Sequence, residues 1–138
     1  MASLIYNSAL DDEARGNINF ASDTFKCMLV TSSYTPNKDT HTKRSDVTNE
    51  VSGTGYSSGG ATATFTVTKD TTNDRIDISL GAISLSSSTI TAAGAVYYKS
   101  RGGASSADEV VAYIDFGGNI TSTNGTWALS ASTLRIQN

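Results

Sequence analysis

Few residues in this chain could carry out nucleophilic or metal-dependent chemistry. There is one histidine, His41, in the polar stretch KDTHTKR, and one cysteine, Cys27. A Ser-His-Asp site would have to use His41, and no serine stands in the G-x-S-x-G pattern that presents a nucleophile. A zinc site of the usual nitrogen and sulfur ligands needs more histidine and cysteine than the chain has. The sequence therefore predicts no enzyme, no metal and no cofactor, with His41 exposed or held by local hydrogen bonds.

Acidic and amide side chains cluster in the stretch DTTNDRID, which contains Asp70, Asn73, Asp74 and Asp77. Oxygen ligands at this density could bind Ca²⁺, but their spacing is not that of an EF-hand loop, and the glycine of that loop is missing. Asp and Asn side chains also bond to their own backbone in turns. We therefore expect a hairpin turn here in preference to a metal site.

Glycines cluster in the stretch KRSDVTNEVSGTGYSSGG, residues 43–60. A phosphate-binding loop places its glycines between a strand and a helix and usually follows them with a lysine. Here the glycines precede a strand-like segment, and no lysine follows directly. They are better explained by backbone with positive φ, or by close approach of two backbone segments at a crowded junction.

The composition is that of a polar, weakly charged β domain. The 138 residues are 38% hydrophobic and 17% charged, a length typical of one domain, residues 1–138. A net charge of −3 does not favour binding to nucleic acid or to anionic lipid. A single cysteine excludes an intramolecular disulfide, and its apolar surroundings predict a buried thiol in a protein made in a reducing cytoplasm. The N-terminus lacks the basic and apolar regions of a signal peptide.

Strand patterns fill most of the chain after residue 20. The run TFKCMLVTS, residues 24–32, has apolar residues on both faces, which predicts a central strand covered on both sides. Its two faces are Phe25, Cys27 and Leu29 on one side and Met28 and Val30 on the other. Further strands are predicted at residues 61–68, 75–80, 93–100, 109–116, 126–130 and 133–137, with two weaker ones in AISL and TITAA on either side of residues 86–88.

About eight short strands with regular turn signals predict a mostly-β, single-domain antiparallel β-sandwich of jelly-roll-like type. A short N-terminal helix or arm is predicted within residues 1–16. Its apolar stripe is Leu4, Ile5, Ala9 and Leu10, and Gly16 ends it.

Residues 33–60 are the exception to this regular pattern. A structureless loop of this length is uncommon inside a compact domain, so we expect an interaction loop that a neighbouring subunit orders. Residues 43–51 could form one or two helical turns, with Val47 and Val51 on one face and Gly53 as the stop. Residues 53–60 are expected to be extended, and removal of residues 43–60 is expected to spare the fold and weaken assembly.

Three long strings in the sequence are distinctive: LIYNSALDDEARGNINF, DTFKCMLVTSSYTPNKDTHTKRSDVTNEVSGTGYSSGG and VYYKSRGGASSADEVVAYIDFGG. They resemble a family of small proteins encoded by tailed bacteriophages and prophages, and the resemblance covers nearly the whole chain. It implies a capsid cement, or decoration, protein. Such a protein is a jelly-roll-like module on the outside of the head that clamps neighbouring major capsid proteins, and it has no catalytic residues.

On this resemblance the partners are the major capsid protein and further copies of the chain, as a dimer or trimer on the shell. The protein would be made in the bacterial cytoplasm and end on the capsid exterior, with no nucleic acid or membrane as partner. Lys43 and Arg44 are expected to face carboxylates of a partner. The full set of expected inter-subunit contacts is Leu4, Ile5, Tyr6, Tyr34, Pro36, Lys43, Arg44, Asp46, Asn49, Glu50 and Tyr56.

Three other functions remain open from the sequence. One is a structural protein of the tail or fibre. Another is a carbohydrate-binding β-sandwich that uses Trp127 or Tyr97 and Tyr98, although aromatics in strand patterns more often pack in the core. The third and weakest is a hydrolase with residues 33–60 as a lid.

Overall fold

A computed structural model describes residues 2–137 of the chain. Over this range it forms one α-helix, α1 (Asn7–Ala14), and two single turns of 3₁₀ helix, at Arg44–Asp46 and Ser105–Ala107. The strands are β1 (Leu4–Ile5), β2 (Phe25–Val30), β3 (Ala61–Ala63), β4 (Phe65–Asp70), β5 (Arg75–Leu80), β6 (Ile83–Lys99), β7 (Val110–Leu129) and β8 (Ser132–Gln137).

The strands form two antiparallel sheets. The large sheet has the order β1-β7-β6-β2-β3, and the small sheet has the order β4-β5-β8. Apolar residues of both sheets meet in one core, which includes Trp127 from β7 and Leu80 from β5. The predicted mostly-β antiparallel sandwich with a short N-terminal helix is confirmed, whereas a jelly-roll connectivity stays a prediction.

Strand β2 is buried on both faces, as its sequence predicts. Phe25, Cys27 and Leu29 belong to the core between the two sheets. Met28 and Val30 belong to a second apolar cluster on the opposite face, together with tyrosines from outside the sheet. Cys27 is 1% exposed, and burial raises the pKa of its thiol to about 12, so it is an inert core residue.

The chain passes between the two sheets through very short connections. Thr64 alone separates β3 from β4, and its carbonyl accepts a hydrogen bond from the backbone N–H of Gly81 at 2.8 Å. Only residues 81–82 join β5 to β6, and only residues 130–131 join β7 to β8. Nearly continuous strands, instead of loops, therefore link the two sheets at these three places.

Strand β6 is continuous where the sequence suggests a break at residues 86–88. The register between β6 and β7 shifts on both sides of Ser88, which marks a β-bulge. Ser88 is fully buried, and its Oγ lies 3.1 Å from the Leu85 carbonyl, 3.0 Å from the Gly125 carbonyl and 2.8 Å from Ser122 Oγ. The hydroxyl groups thus satisfy polar groups within the bulge, and the strand continues through a stretch whose residue types favour a turn.

The N-terminal segment divides into a strand and a helix, whereas the sequence predicts one helix or arm within residues 1–16. Leu4 and Ile5 pair with Tyr113 and Ala112 at the edge of the large sheet, because β7 offers them an unpaired backbone. In α1, Ala9 is buried but Leu10 is 44% exposed, so the predicted apolar stripe is only partly used. Gly16 does end the helix, with φ +81° and its N–H bonded to the Glu13 carbonyl.

Residues 33–60 lie against their own chain: Tyr34 and Val47 pack on the face of the large sheet that carries Met28 and Val30, whereas Val51 and Tyr56 pack in the core between the two sheets. Tyr34 is 3% exposed and joins the second apolar cluster, which Val47 also contacts. Of the one or two helical turns predicted within residues 43–51, a single 3₁₀ turn forms at Arg44–Asp46, and the chain is then extended, with Glu50 paired with Val30. Val47, Val51 and Tyr56 pack on the apolar clusters of the domain, so we expect removal of residues 43–60 to destabilise the fold, contrary to the expectation from the sequence.

The glycines of residues 53–60 form the crowded junction that the sequence predicts, although the segment turns instead of staying extended. Gly60 has φ +85°, and a Cβ built on it would lie 1.9 Å from the carbonyl oxygen of Cys27. Only glycine allows the chain to pass this close to β2 before it enters β3. Tyr98 Oη also donates a hydrogen bond to the Gly59 carbonyl at this point.

We predict that Gly60→Ala destabilises the protein strongly, because it combines a left-handed φ with a backbone clash. Gly102→Ala separates the two effects, since Gly102 has φ +80° but open space around it. A loss of about 1 kcal/mol is expected for Gly102→Ala and a clearly larger loss for Gly60→Ala, measured by urea unfolding. Equal losses in the two variants would contradict the close approach at Gly60.

Candidate functional site

The single histidine is part of a hydrogen-bonded chain of aromatic residues. Tyr6 Oη lies 2.8 Å from Tyr34 Oη, and Tyr34 Oη lies 2.8 Å from Nδ1 of His41. The backbone N–H of Asn37 also donates to Nδ1, at 3.2 Å, so the neutral ring carries its proton on Nε2. His41 is held by local hydrogen bonds, as predicted, and its position fixes residues 34–41 over the sheet.

The acidic stretch after β4 forms the predicted turn. Asp70 Oδ1 accepts hydrogen bonds from the backbone N–H groups of Thr72 and Asn73, both at 3.1 Å. Asp77 points to the outer face of the small sheet, where it contacts Arg75 at 3.2 Å and Arg135 at 2.9 Å. Within residues 2–137, no three His, Cys, Asp or Glu side chains converge in a way that could hold a metal ion.

Two buried carboxylates form the centre of an ionic cluster. Asp108 and Glu109, which directly precede β7, are 1% and 2% exposed. Arg44 Nε donates to Asp108 Oδ2 at 2.8 Å, and its guanidinium stacks 5.1 Å from the centre of the Tyr98 ring. Arg101 binds Glu109 through two nitrogens, at 2.7 and 2.8 Å, while Lys43 Nζ lies 3.8 Å away from Glu109. We call these five residues, Lys43, Arg44, Arg101, Asp108 and Glu109, the ionic clasp.

The ionic clasp joins residues 33–60 to the loop between β6 and β7. Burial alone would raise the pKa of Glu109, but the hydrogen bonds from Arg101 and the nearby charge of Lys43 lower it overall. Asp46 holds the backbone next to the clasp, because its carboxylate accepts hydrogen bonds from the N–H groups of Thr42 and Lys43. These hydrogen bonds lower the pKa of Asp46. Lys43 and Arg44 therefore meet carboxylates of their own chain, and a contact with a partner's carboxylates stays a prediction.

Glu50 makes a second attachment. Its Oε2 accepts hydrogen bonds from Tyr56 Oη at 2.6 Å and from the Gly59 N–H at 2.7 Å. Tyr56 Oη in turn accepts the N–H of Leu29 in β2, at 3.1 Å. The loop of residues 50–60 is thus tied to the end of the central strand, and burial together with the hydrogen bond to Glu50 raises the pKa of Tyr56.

An uncharged surface lies at the other end of the β6–β7 hairpin. Residues 78–98 and 116–134 contain no Asp, Glu, Lys or Arg, and the hairpin pairs these two stretches with each other. On its exposed side the Oγ1 atoms of Thr91 and Thr121 lie 3.0 Å apart. We call the four exposed threonines, Thr89, Thr91, Thr121 and Thr123, the hydroxyl face. A shallow groove of about 380 Å³ separates it from residues 50–52, so Glu50 stands at its rim.

The residues that the sequence predicts as inter-subunit contacts differ in how exposed they are in the structure. Tyr6, Tyr34 and Pro36 are buried in their own chain, because they cover the second face of the large sheet, so they are not exposed contacts. Leu4 and Ile5 are half-buried beside β8, and Asn49 is exposed with φ +60°. The others are half-buried and have partners within the chain: Lys43, Arg44, Asp46, Glu50 and Tyr56.

The strand aromatics are core residues. Tyr97, Tyr98 and Trp127 are at most 1% exposed, which confirms the packing interpretation. Sugar binding by stacking needs an exposed ring, and none of these three offers one. Sequence reasoning missed the ionic clasp and the hydroxyl face. The two long uncharged stretches are the signal that could have indicated the latter.

We predict that Arg44→Met destabilises the protein by about 3 kcal/mol, since it leaves the buried carboxylate of Asp108 without its ion-pair partner. Arg15→Met is the control, because Arg15 and Asp11 form a surface pair with side chains 70% and 59% exposed. Surface pairs contribute little, so its unfolding midpoint should hardly move. Hydrogen exchange in Arg44→Met should increase first in residues 37–47; unchanged exchange there would contradict the role of the clasp.

We further predict that Glu109 makes stability fall in acid. Its pKa is lowered in the folded protein, so its contribution is complete above the ordinary range of a glutamate and is lost as the pH falls through and below that range. Glu109→Gln cannot ionise and should show a shallower decline in unfolding free energy between about pH 5 and pH 3. Parallel pH curves for the two proteins would contradict this assignment.

Comparisons with protein-family models, with curated proteins and with solved structures find no match for this chain. Within residues 2–137, no helix is both long enough and apolar enough to cross a membrane.

Proposed function

We propose that this chain is a structural virion protein, a capsid cement or decoration protein that binds the outside of a head and stabilises contacts between major capsid proteins. The observation that carries the proposal is the hydroxyl face, an exposed strand surface without charged side chains on β6 and β7. The resemblance of the three distinctive sequence strings to phage and prophage proteins supports the same role.

A hydroxyl surface suits close contact with another protein. The cores of protein interfaces are depleted in charged residues, because a buried charge must lose its hydration and then find a partner. Threonine hydroxyls can both donate and accept, so they pair with backbone or side-chain groups of a partner without strict charge matching. The Thr91–Thr121 contact at 3.0 Å also holds two of these side chains in place before any partner arrives.

The rest of the domain supports binding without a large cost in ordering. Residues 33–60 are already held by the ionic clasp, by Glu50 and by the buried Tyr34. A preorganised surface gives up little conformational entropy on binding. In a shell this advantage applies at every symmetry-related copy.

The proposal is tested in virions whose genome encodes the chain. Quantitative mass spectrometry should find hundreds of copies per particle, in proportion to the major capsid protein. Particles that lack the protein should lose resistance to heat and to osmotic shock. A few copies per particle would favour a tail or fibre protein, and absence from the particle, or unchanged resistance without the protein, would overturn the cement role.

We predict that Thr91→Lys reduces occupancy on heads prepared without the protein, because it places a charge in the hydroxyl face. Thr68→Lys on β4 is the matched control, since Thr68 is also an exposed strand threonine but lies in the small sheet. Bound protein is measured by gel densitometry after sedimentation of the heads. Equal binding of both variants would show that the hydroxyl face is not the contact surface.

A further inference from the structure

The two sheets differ in how their edges end. The large sheet ends in β1 and β3, which have two and three residues, and edges this short offer little backbone to another chain. The small sheet ends in β4 and β8, which have six residues each. Over residues 2–137, no strand pairs with the outer side of either one. Unpaired N–H and C=O groups on such edges are a template for a further strand.

Only β4 is protected by its sequence. Lys69 pairs with Ile76 and therefore lies on the inner, apolar face of β4, together with Phe65 and Val67. A charge that points inward on an edge strand disfavours addition of another strand. On β8 the inner positions are Leu134 and Ile136, which pair with Ile78 and Ile76, and neither is charged. Of the two long edges, β8 is the one left open.

An apolar groove lies directly beside the open edge of β8. It has a volume of about 270 Å³ and separates β8 from the two residues of β1 and from Ile114 on β7. Leu4 and Ile5 stand on one side of the groove and Leu134 on the other. A strand added to β8 would place its alternate side chains over this groove and remove its apolar surface from water.

We infer that β8 pairs antiparallel with β8 of a second copy of this chain, about a two-fold axis, to make one continuous six-stranded sheet. The sequence of β8 fits itself in this arrangement. With Leu134 opposite Leu134, the inner faces of the two sheets are continuous, and Arg135 lies opposite Thr133 on the outer face. Arg135 also keeps its own partner Asp77, at 2.9 Å, within a group in which Asp70 and Asp77 balance Arg75 and Arg135.

Two other two-fold registers fit less well. A register centred on Arg135 sets two arginines directly opposite each other, which is unfavourable. A register centred on Ile136 pairs only residues 135–137 of each strand. A shift by one residue would put the apolar face of one copy level with the charged face of the other. The pattern of charge and apolar side chains therefore disfavours these registers and is compatible with a second copy of β8 as the occupant.

The inference is tested on the purified chain alone, so its outcome is independent of the virion role. Light scattering coupled to size exclusion should give the mass of a dimer. Leu134→Cys should form a disulfide-linked dimer under mild oxidation, because opposed residues of antiparallel strands lie within disulfide reach. Val67→Cys on β4 is the control and should stay uncross-linked, and the buried Cys27 thiol does not compete. A monomeric mass, or cross-linking of Val67→Cys as readily as Leu134→Cys, would overturn the proposal.

A second variant keeps the test valid if the cysteine variant folds poorly. Ile136→Lys gives β8 the inward charge that β4 already has, at a half-buried position near the end of the strand. It should abolish the dimer peak, whereas Val67→Lys should retain it, with circular dichroism and thermal melting used to confirm that both variants are folded. A folded Ile136→Lys variant that remains a dimer would contradict pairing through β8.

Discussion

The large sheet is apolar on both of its faces, and most other features of the molecule follow from this constraint. One face is covered by the small sheet, which is itself apolar on its inner side. The other face has only a short helix and a polar segment rich in Ser, Thr and Gly to cover it. Such a segment cannot be held by hydrophobic contact alone. The buried ion pairs of Asp108 and Glu109 and the hydrogen bonds of Glu50 supply the specific attachments that it needs.

Charge is distributed unevenly along the β6–β7 hairpin. The end next to Ser105–Ala107 contains the clasp and its buried carboxylates, whereas the other half contains only uncharged residues. At the first end, the charged side chains of the clasp form ion pairs within the chain and hold residues 33–60 in place. In the other half, the exposed threonine hydroxyl groups are the ones that we propose for contacts outside the chain. This division is the structural basis for assigning the two ends different roles.

Local sequence patterns predicted the features that depend on near neighbours. The two-sided burial of β2, the stop at Gly16, the turn at Asp70 and the close approach at Gly60 all follow from side-chain alternation or from backbone sterics. Features that depend on distant partners were missed. Arg44 and Asp108 are 64 residues apart, and β1 forms only because β7 offers it an edge. The continuity of β6 depends on Ser122 and Gly125 in the facing strand, so residues 86–88 alone could not indicate it.

The shortness of the connections between the sheets has a mechanical consequence. Thr64 alone links β3 to β4, and two residues link each of the other pairs of strands that change sheet. A pull applied along the small sheet therefore reaches the central strands of the large sheet with almost no slack to absorb it. Sliding of one sheet over the other would have to break ladder hydrogen bonds many at a time, instead of first extending a loop. The two sheets should therefore move as one rigid unit when force is applied to either of them.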